Sequence, residues 1–195
     1  MQDIILASQS PRRKLLLEWA EVSFEVIVKH TDEEFPAELS PAEVAVYIAR
    51  KKAFAVQEHV QSAFHGEMLG KAILAADTIV VLGETIIGKP EDREDAIRIL
   101  TLLSGKQHRV ITGVVILYKN GETSFADTTE VSFYELTVEQ IEFYVDKYEP
   151  YDKAGAYAIQ EWIGVTGIKS INGDFYNVMG LPVSRVIQAL HTINP

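Results

Sequence analysis

The chain has 195 residues, 47% of them hydrophobic and 24% charged, which is the composition of an ordinary globular protein of one domain or of one elongated domain with two lobes. Its formal net charge of -10 disfavours DNA or RNA as the main partner but permits a small anion held by a local cluster of cations. Because there is no cysteine, disulfides, thiolate nucleophiles and Cys-type zinc or iron–sulfur sites are excluded, and no apolar run approaches the roughly 20 residues of a membrane span.

The opening MQDIILAS has neither a basic n-region nor a long apolar core, so no signal peptide is expected, and a cytoplasmic setting fits. Ile4 to Leu6 read as a short buried strand, followed by a helix in SPRRKLLLEWA with Ser10 as N-cap and Pro11 at the favoured first position. Phe24 to Val28 read as a second strand. After the acidic turn TDEEFPAE, a helix opens at Ser40 and Glu43, a capping box around Pro41, and continues through SPAEVAVYIARKKAFAVQEHV. AILAADTIVVLGETIIGKP reads as a strand, a tight turn at Gly83 and Glu84, and a short return strand. EDREDAIRILTLLSG is a helix with acids in its first turn and Gly105 as its stop. The segment from His108 to Leu136 is a β-hairpin around Asn120 and Gly121, and Thr137 with Gln140 opens another capped helix. The last third shows more strand-like pieces and closes in an amphipathic helix, LPVSRVIQALHTI. The class is mixed α/β, with parallel and antiparallel neighbours in one sheet.

Three stretches carry chemistry. In LASQSPRRKLLLE, a strand enters a helix through Ser8, Gln9 and Ser10, which presents free backbone N–H groups and the positive end of the helix dipole. Arg12 and Arg13 add planar forks suited to phosphate oxygens or base carbonyls. The alternative is that these cations merely solubilise an exposed first turn, although cations there oppose the dipole by a few tenths of a kcal/mol each. The glycines of a Walker loop or a dinucleotide fingerprint are missing. In ILAADTIVVL, Asp77 and Thr78 interrupt an apolar run that reads as a central strand. A carboxylate buried there must be paired, hydrogen-bonded or bound to a cation, which makes Asp77 a candidate metal ligand or general base, or else a structural cap of a nearby turn. Lys89, at the end of the return strand, either points back to the same place or is an ordinary surface lysine. In EPYDKAGAYAIQ, Gly155 and three alanines permit close backbone approach, and Asp152, Lys153 and Gln160 supply polar ends; the stretch reads equally as a small-residue packing segment. The five histidines show no ligand spacing and read as structural or surface residues.

The pieces LASQSPRR, ARKKA, AADT, GKP, DKAGAYAIQ and NVMGLP, in this order and spread from end to end, resemble the Maf family of nucleoside triphosphate pyrophosphatases, also called septum-formation inhibitors. The resemblance implies an elongated α/β fold of two lobes around a central cleft, related to the inosine-triphosphate pyrophosphatases. It implies hydrolysis between the α- and β-phosphates, giving a nucleoside monophosphate and pyrophosphate, with a divalent cation, magnesium or manganese, as cofactor and a homodimer as the usual form. Position by position, Asp77 takes the place of the family's proton acceptor. Ser8, Arg13, Lys52 and Lys89 match positions that line the phosphate site. Glu33, with Glu34 beside it, matches an acidic position associated with the metal and the cleft, and Asp77 is the other metal position. Asp152 and Lys153 match positions that face the cleft. A triphosphate needs such cations as charge shifts to the leaving pyrophosphate, and hard magnesium needs carboxylate and phosphate oxygens.

Three further positions separate groups within that family. Arg12, Thr78 and Gln160 are similar to the group acting on dTTP and UTP. The group acting on 7-methyl-GTP tends to have tryptophan, glutamine and glutamate at these places. Uracil and thymine present two carbonyl acceptors flanking one N–H donor; Arg12 can donate, and the Gln160 amide can both donate and accept. The expectation is a dTTP/UTP pyrophosphatase that also admits 5-modified pyrimidines, because such a substituent is worth only about 1–3 kcal/mol. The alternatives are the same chemistry on another base such as 7-methyl-GTP, and a non-catalytic nucleotide-binding regulator of septum formation.

Overall fold

The computed structural model describes residues 3–64, 66–119 and 121–193. β1 (Ile4–Leu6) leads into α1 (Pro11–Trp19), where the Ser10 hydroxyl accepts the Arg13 N–H and Pro11 occupies the first turn. β2 (Phe24–Val26) stops two residues before the expected end. α2 (Pro41–Ala63) begins where the capping box places it, with the Ser40 N–H and hydroxyl donating to the Glu43 carboxylate at 2.9 and 2.6 Å. β3 (Ala72–Leu82) turns at Gly83, which has φ +61°, into β4 (Thr85–Ile87). α3 (Arg93–Leu103) is capped by Asp92, carries Glu94 and Asp95 in its first turn, and is followed by Gly105 in the left-handed region. β5 (Gln107–Tyr118) and β6 (Gly121–Phe133) are neighbours in the sheet; the expected turn at Asn120 and Gly121 falls partly outside the described residues, since Asn120 is not among them. α4 (Val138–Tyr148) opens with the reciprocal Thr137 and Gln140 box.

The last third departs from the expected strands. Among the described residues only β7 (Ile168–Asn172) is a strand there, alongside two 3-10 turns at Pro150–Asp152 and Ala154–Ala156 and the helices α5 (Trp162–Gly167), α6 (Phe175–Met179) and α7 (Val183–Ile193). Between α4 and α5 the reason is local: Glu149, Gly155 and Ala156 all take positive φ, outside the regular strand conformation. A Cβ on Gly155 would also come within 2.9 Å of the Val80 side chain.

The strand order is β2-β1-β3-β5-β6-β7, with β4 also paired to β3. β1 runs parallel to β2 and β3, whereas β3 with β4 and β6 with β7 are antiparallel, so the sheet is mixed as expected. The chain divides into two compact units. The first comprises Met1–Asp77, Thr112–Asp127 and Gly180–Pro195; the second comprises Thr78–Ile111 and Thr128–Met179. In the first unit, Ala49, Ala53, Val56 and Val60 of α2 pack with Ile5, Ile73, Val115 and Leu117 of the strands. The small residues allow close approach: a Cβ on Gly113 would meet the Ala45 backbone at 2.2 Å, so β5 and α2 touch backbone to backbone. In the second unit, Ile99, Leu100 and Leu103 of α3 and Ile141, Tyr144 and Val145 of α4 enclose Phe133 and Tyr157.

Of the histidines, His108 is structural: it is buried, its Nε2 lies 2.7 Å from the Tyr157 hydroxyl, and Phe133 and Tyr157 meet its ring edge-on. Burial lowers its pKa from 6.5 to about 4. The unfolded chain therefore binds a proton at pH values where the folded site does not, and stability declines as pH falls from 6.5 towards 4. His108→Gln removes this term. The expected outcome is a flatter dependence on pH, in that window, of the unfolding free energy measured by urea titration, by up to about 1.4 kcal/mol per pH unit. An unchanged slope would assign the acid sensitivity to other groups.

Candidate functional site

Within the first unit the sequence pattern converges on one corner. Ser8, buried just beyond β1, accepts hydrogen bonds through its Oγ from the Ser10 N–H at 3.2 Å and from Arg13 Nη1 at 3.1 Å. A hydroxyl oxygen that accepts twice still has its own proton to donate. Arg13 Nε donates to the Gly180 carbonyl at 2.8 Å, so two of the guanidinium nitrogens bind the protein itself. Burial lowers the Arg13 pKa, the Asp77 charge opposes this, and the charges of Arg12 and Glu33 act as smaller contributions of opposite sign. The guanidinium remains charged at any ordinary pH.

Asp77, 8% exposed in β3, is paired as a buried carboxylate must be: Lys52 Nζ of α2 lies 2.6 Å from its Oδ1. The same ammonium reaches Glu33 Oε1 at 3.0 Å. The neighbouring Lys51 bonds Asp32 and, at 3.3 Å, the Glu34 carbonyl, while the Glu34 N–H donates to Asp32 at 3.1 Å. Consecutive lysines thus hold consecutive acids, and Glu33, rather than Glu34, is the acid at Lys52. Among the described residues no three His, Asp or Glu side chains gather as a metal cage. Two carboxylates converging on one point fit a hard divalent cation of the magnesium type, which takes one or two carboxylates and completes its shell with phosphate oxygens and water.

In the second unit, Thr78 is half-buried in β3 and Lys89 is exposed in the loop after β4. The Gly155 N–H donates to the Gly88 carbonyl at 3.1 Å, which ties the loop of Lys89 to the DKAGAYAIQ stretch. Lys153 is buried, with Nζ 2.7 Å from Asp152 Oδ1 and 3.7 Å from Glu161 Oε1, while Gln160 is exposed at the end of a run of buried residues. Sequence reasoning did not single out Tyr144, whose hydroxyl donates to Glu161, nor Glu161 itself, nor the Gly180 carbonyl that holds Arg13. Gly180 lies in NVMGLP, a stretch that stood out, but Tyr144 is one aromatic on an amphipathic helix and carries no local signal.

Residues 3–193 match the family described as "Maf-like protein". A dTTP/UTP pyrophosphatase of Cytophaga hutchinsonii is 47% identical over 99% of this chain and 85% of its own length. Proteins of the same name from Bacteroides thetaiotaomicron (47% identical, over 94% of this chain and 92% of their own) and Bacillus cereus (45%, over 100% and 97%) are similarly alike. Among solved structures, the Staphylococcus aureus Ham1 protein aligns over 68% of this chain and 72% of its own, at 15% identity and a TM-score of 0.41. No helix is long and apolar enough to cross a membrane among the described residues.

Replacing Lys52 by Met leaves Asp77 and Glu33 without their shared counter-ion. Partial exposure limits the cost to about 2 kcal/mol, which corresponds to a thermal midpoint lower by about 4–8 °C. Millimolar magnesium should raise the midpoint of the variant more than that of the wild type. An unchanged midpoint in metal-free buffer would mean that Lys52 does not stabilise the pair.

Proposed function

Since the chain belongs to the Maf family, we infer that it is a nucleoside triphosphate pyrophosphatase that hydrolyses dTTP and UTP to the monophosphate and pyrophosphate. The observation that carries this reading is the buried Asp77 held by Lys52 beside the corner of Ser8 and Arg13. Asp77 is the base: it accepts a proton from the attacking water as the bond between the α-phosphorus and its bridging oxygen to the β-phosphate breaks. Lys52, next to Asp77, and Lys89 meet phosphate oxygens, and the Ser8 hydroxyl donates to another, oriented by Arg13, whose charge adds to theirs. Glu33 and Asp77 would hold a divalent cation, magnesium or manganese, which when bound neutralises phosphate charge and makes water more acidic. Asp152 and Lys153 act in the second unit as a charged pair.

Arg12, Thr78 and Gln160 are assigned to the base. Arg12 donates to a pyrimidine carbonyl, and the Gln160 amide matches a carbonyl and the adjacent N–H together. The same three residue types favour dTTP and UTP over 7-methyl-GTP, whose cationic base calls for an aromatic face and a carboxylate. A cytoplasmic homodimer that acts on free nucleotides, and not on a nucleic-acid polymer, belongs to this reading.

The direct test is pyrophosphate release from dTTP, UTP, CTP and GTP with and without magnesium. Asp77→Asn is nearly isosteric and cannot take the proton, so kcat should fall by a factor of about 100 or more with the fold intact by circular dichroism. Retention of more than about a tenth of wild-type kcat would remove Asp77 from the role of base. Gln160→Glu replaces an amide donor with a second acceptor opposite a uracil carbonyl. A loss of roughly 5- to 150-fold in kcat/KM for dTTP and UTP is expected, with much smaller changes for GTP. A uniform drop across all four nucleotides would instead assign Gln160 to the phosphates or to folding.

A further inference from the structure

We propose that Tyr144 and Glu161 are positioning residues for base selection, a buried clamp that fixes the backbone turn from which Gln160 projects; this rests on the reading that Gln160 recognises the pyrimidine. The turn is Ala158–Glu161, closed by the Glu161 N–H donating to the Ala158 carbonyl at 3.1 Å. Tyr157, Ala158 and Ile159 are buried, whereas Gln160, third in the turn, is exposed. Tyr144, on α4, is fully buried, and its hydroxyl touches both flanks of the turn. It accepts the Ala158 N–H at 3.2 Å and donates to the Glu161 carboxylate. Lys153, 3.7 Å from the other Glu161 oxygen and 2.7 Å from Asp152, balances the charge.

The far side of the turn is held equally closely. The N–H groups of Gly164 and Val165 donate to the Glu161 carbonyl at 3.0 and 3.2 Å. A Cβ on Gly164 would lie 1.7 Å from the Ile159 carbonyl oxygen, so the backbone of α5 rests directly on the turn. A single exposed residue is thereby bracketed by a buried hydroxyl on one side and a glycine contact on the other. Packing alone does not require this arrangement, since phenylalanine would fill the Tyr144 site and keep its stacking on Tyr148. The hydroxyl adds direction. Distinguishing a uracil edge from a cytosine edge depends on where one amide donor and one acceptor stand, and misplacement by about 1 Å is enough to lose a contact.

Tyr144→Phe removes the hydroxyl and keeps the ring. Expected is a fall of about tenfold in kcat/KM for dTTP and UTP, with CTP and GTP changing less than about threefold, so that selectivity narrows. Glu161→Gln retains an oxygen for the hydroxyl and should keep the selectivity, whereas Glu161→Leu should lose it as Tyr144→Phe does. In a Gln160→Glu background, Tyr144→Phe should narrow selectivity no further. An equal loss on all four nucleotides, or wild-type selectivity in both Tyr144→Phe and Glu161→Leu while Gln160→Glu shifts it, overturns the clamp and leaves the base assignment standing. If Gln160→Glu itself leaves selectivity unchanged, the base assignment fails, and the clamp fails with it.

Discussion

Everything at the candidate site depends on one ammonium group shared by two carboxylates. Asp77 sits in a strand whose neighbours are nearly all buried and hydrophobic, where an unpaired charge would be costly. Lys52 makes the position tolerable, and by reaching Glu33 as well it draws the acidic loop to the same point. The lysine can do this because α2 approaches the strands closely. Alanines on its inner face and Gly113 opposite Ala45 remove the side-chain volume that would otherwise hold the helix away.

A second constraint explains the cations at the start of α1. Placed at a helix N-terminus they oppose its dipole, so their stability has to come from elsewhere. For Arg13 it comes from the Gly180 carbonyl, the Ser8 hydroxyl and the field of Asp77. The same contacts hold Ser8 still, so that one guanidinium serves both to build the corner and to keep it positive. On the proposed reading this suits a polyanionic substrate, because Ser8 and the positive charge are held in place without it.

The second unit uses backbone strain where the first uses charge. Gly155 and Ala156 in the left-handed region break the chain into short turns, and those turns bring the loop of Lys89, the pair Asp152 and Lys153, and the turn of Gln160 onto a framework of α3, α4 and β3 residues. Small residues in DKAGAYAIQ are therefore both a packing device and a means of presenting polar ends, the two readings between which its composition could not choose.

What the sequence determined by itself was whatever depends on near neighbours along the chain. The Ser10 cap, the capping boxes at Ser40 and Thr137 and the glycine turn at Gly83 place element boundaries because each is a contact within four residues. The apolar run around Asp77 announced, for an equally local reason, a buried carboxylate that had to be paired, hydrogen-bonded or bound to a cation. Tertiary structure decided the partners. Whether Glu33 or Glu34 meets Lys52, that Arg13 is bound to a carbonyl 167 residues away, and that a tyrosine of α4 holds the turn of Gln160 are all contacts between distant segments. In the last third β7 is a strand, but the DKAGAYAIQ stretch folds into turns, because left-handed backbone at Gly155 and Ala156 and a close contact with Val80 outweigh the β propensity of the side chains. Pattern along a chain records periodicity and capping; which lone pair meets which proton is fixed only when the packed core brings remote residues within about 3 Å.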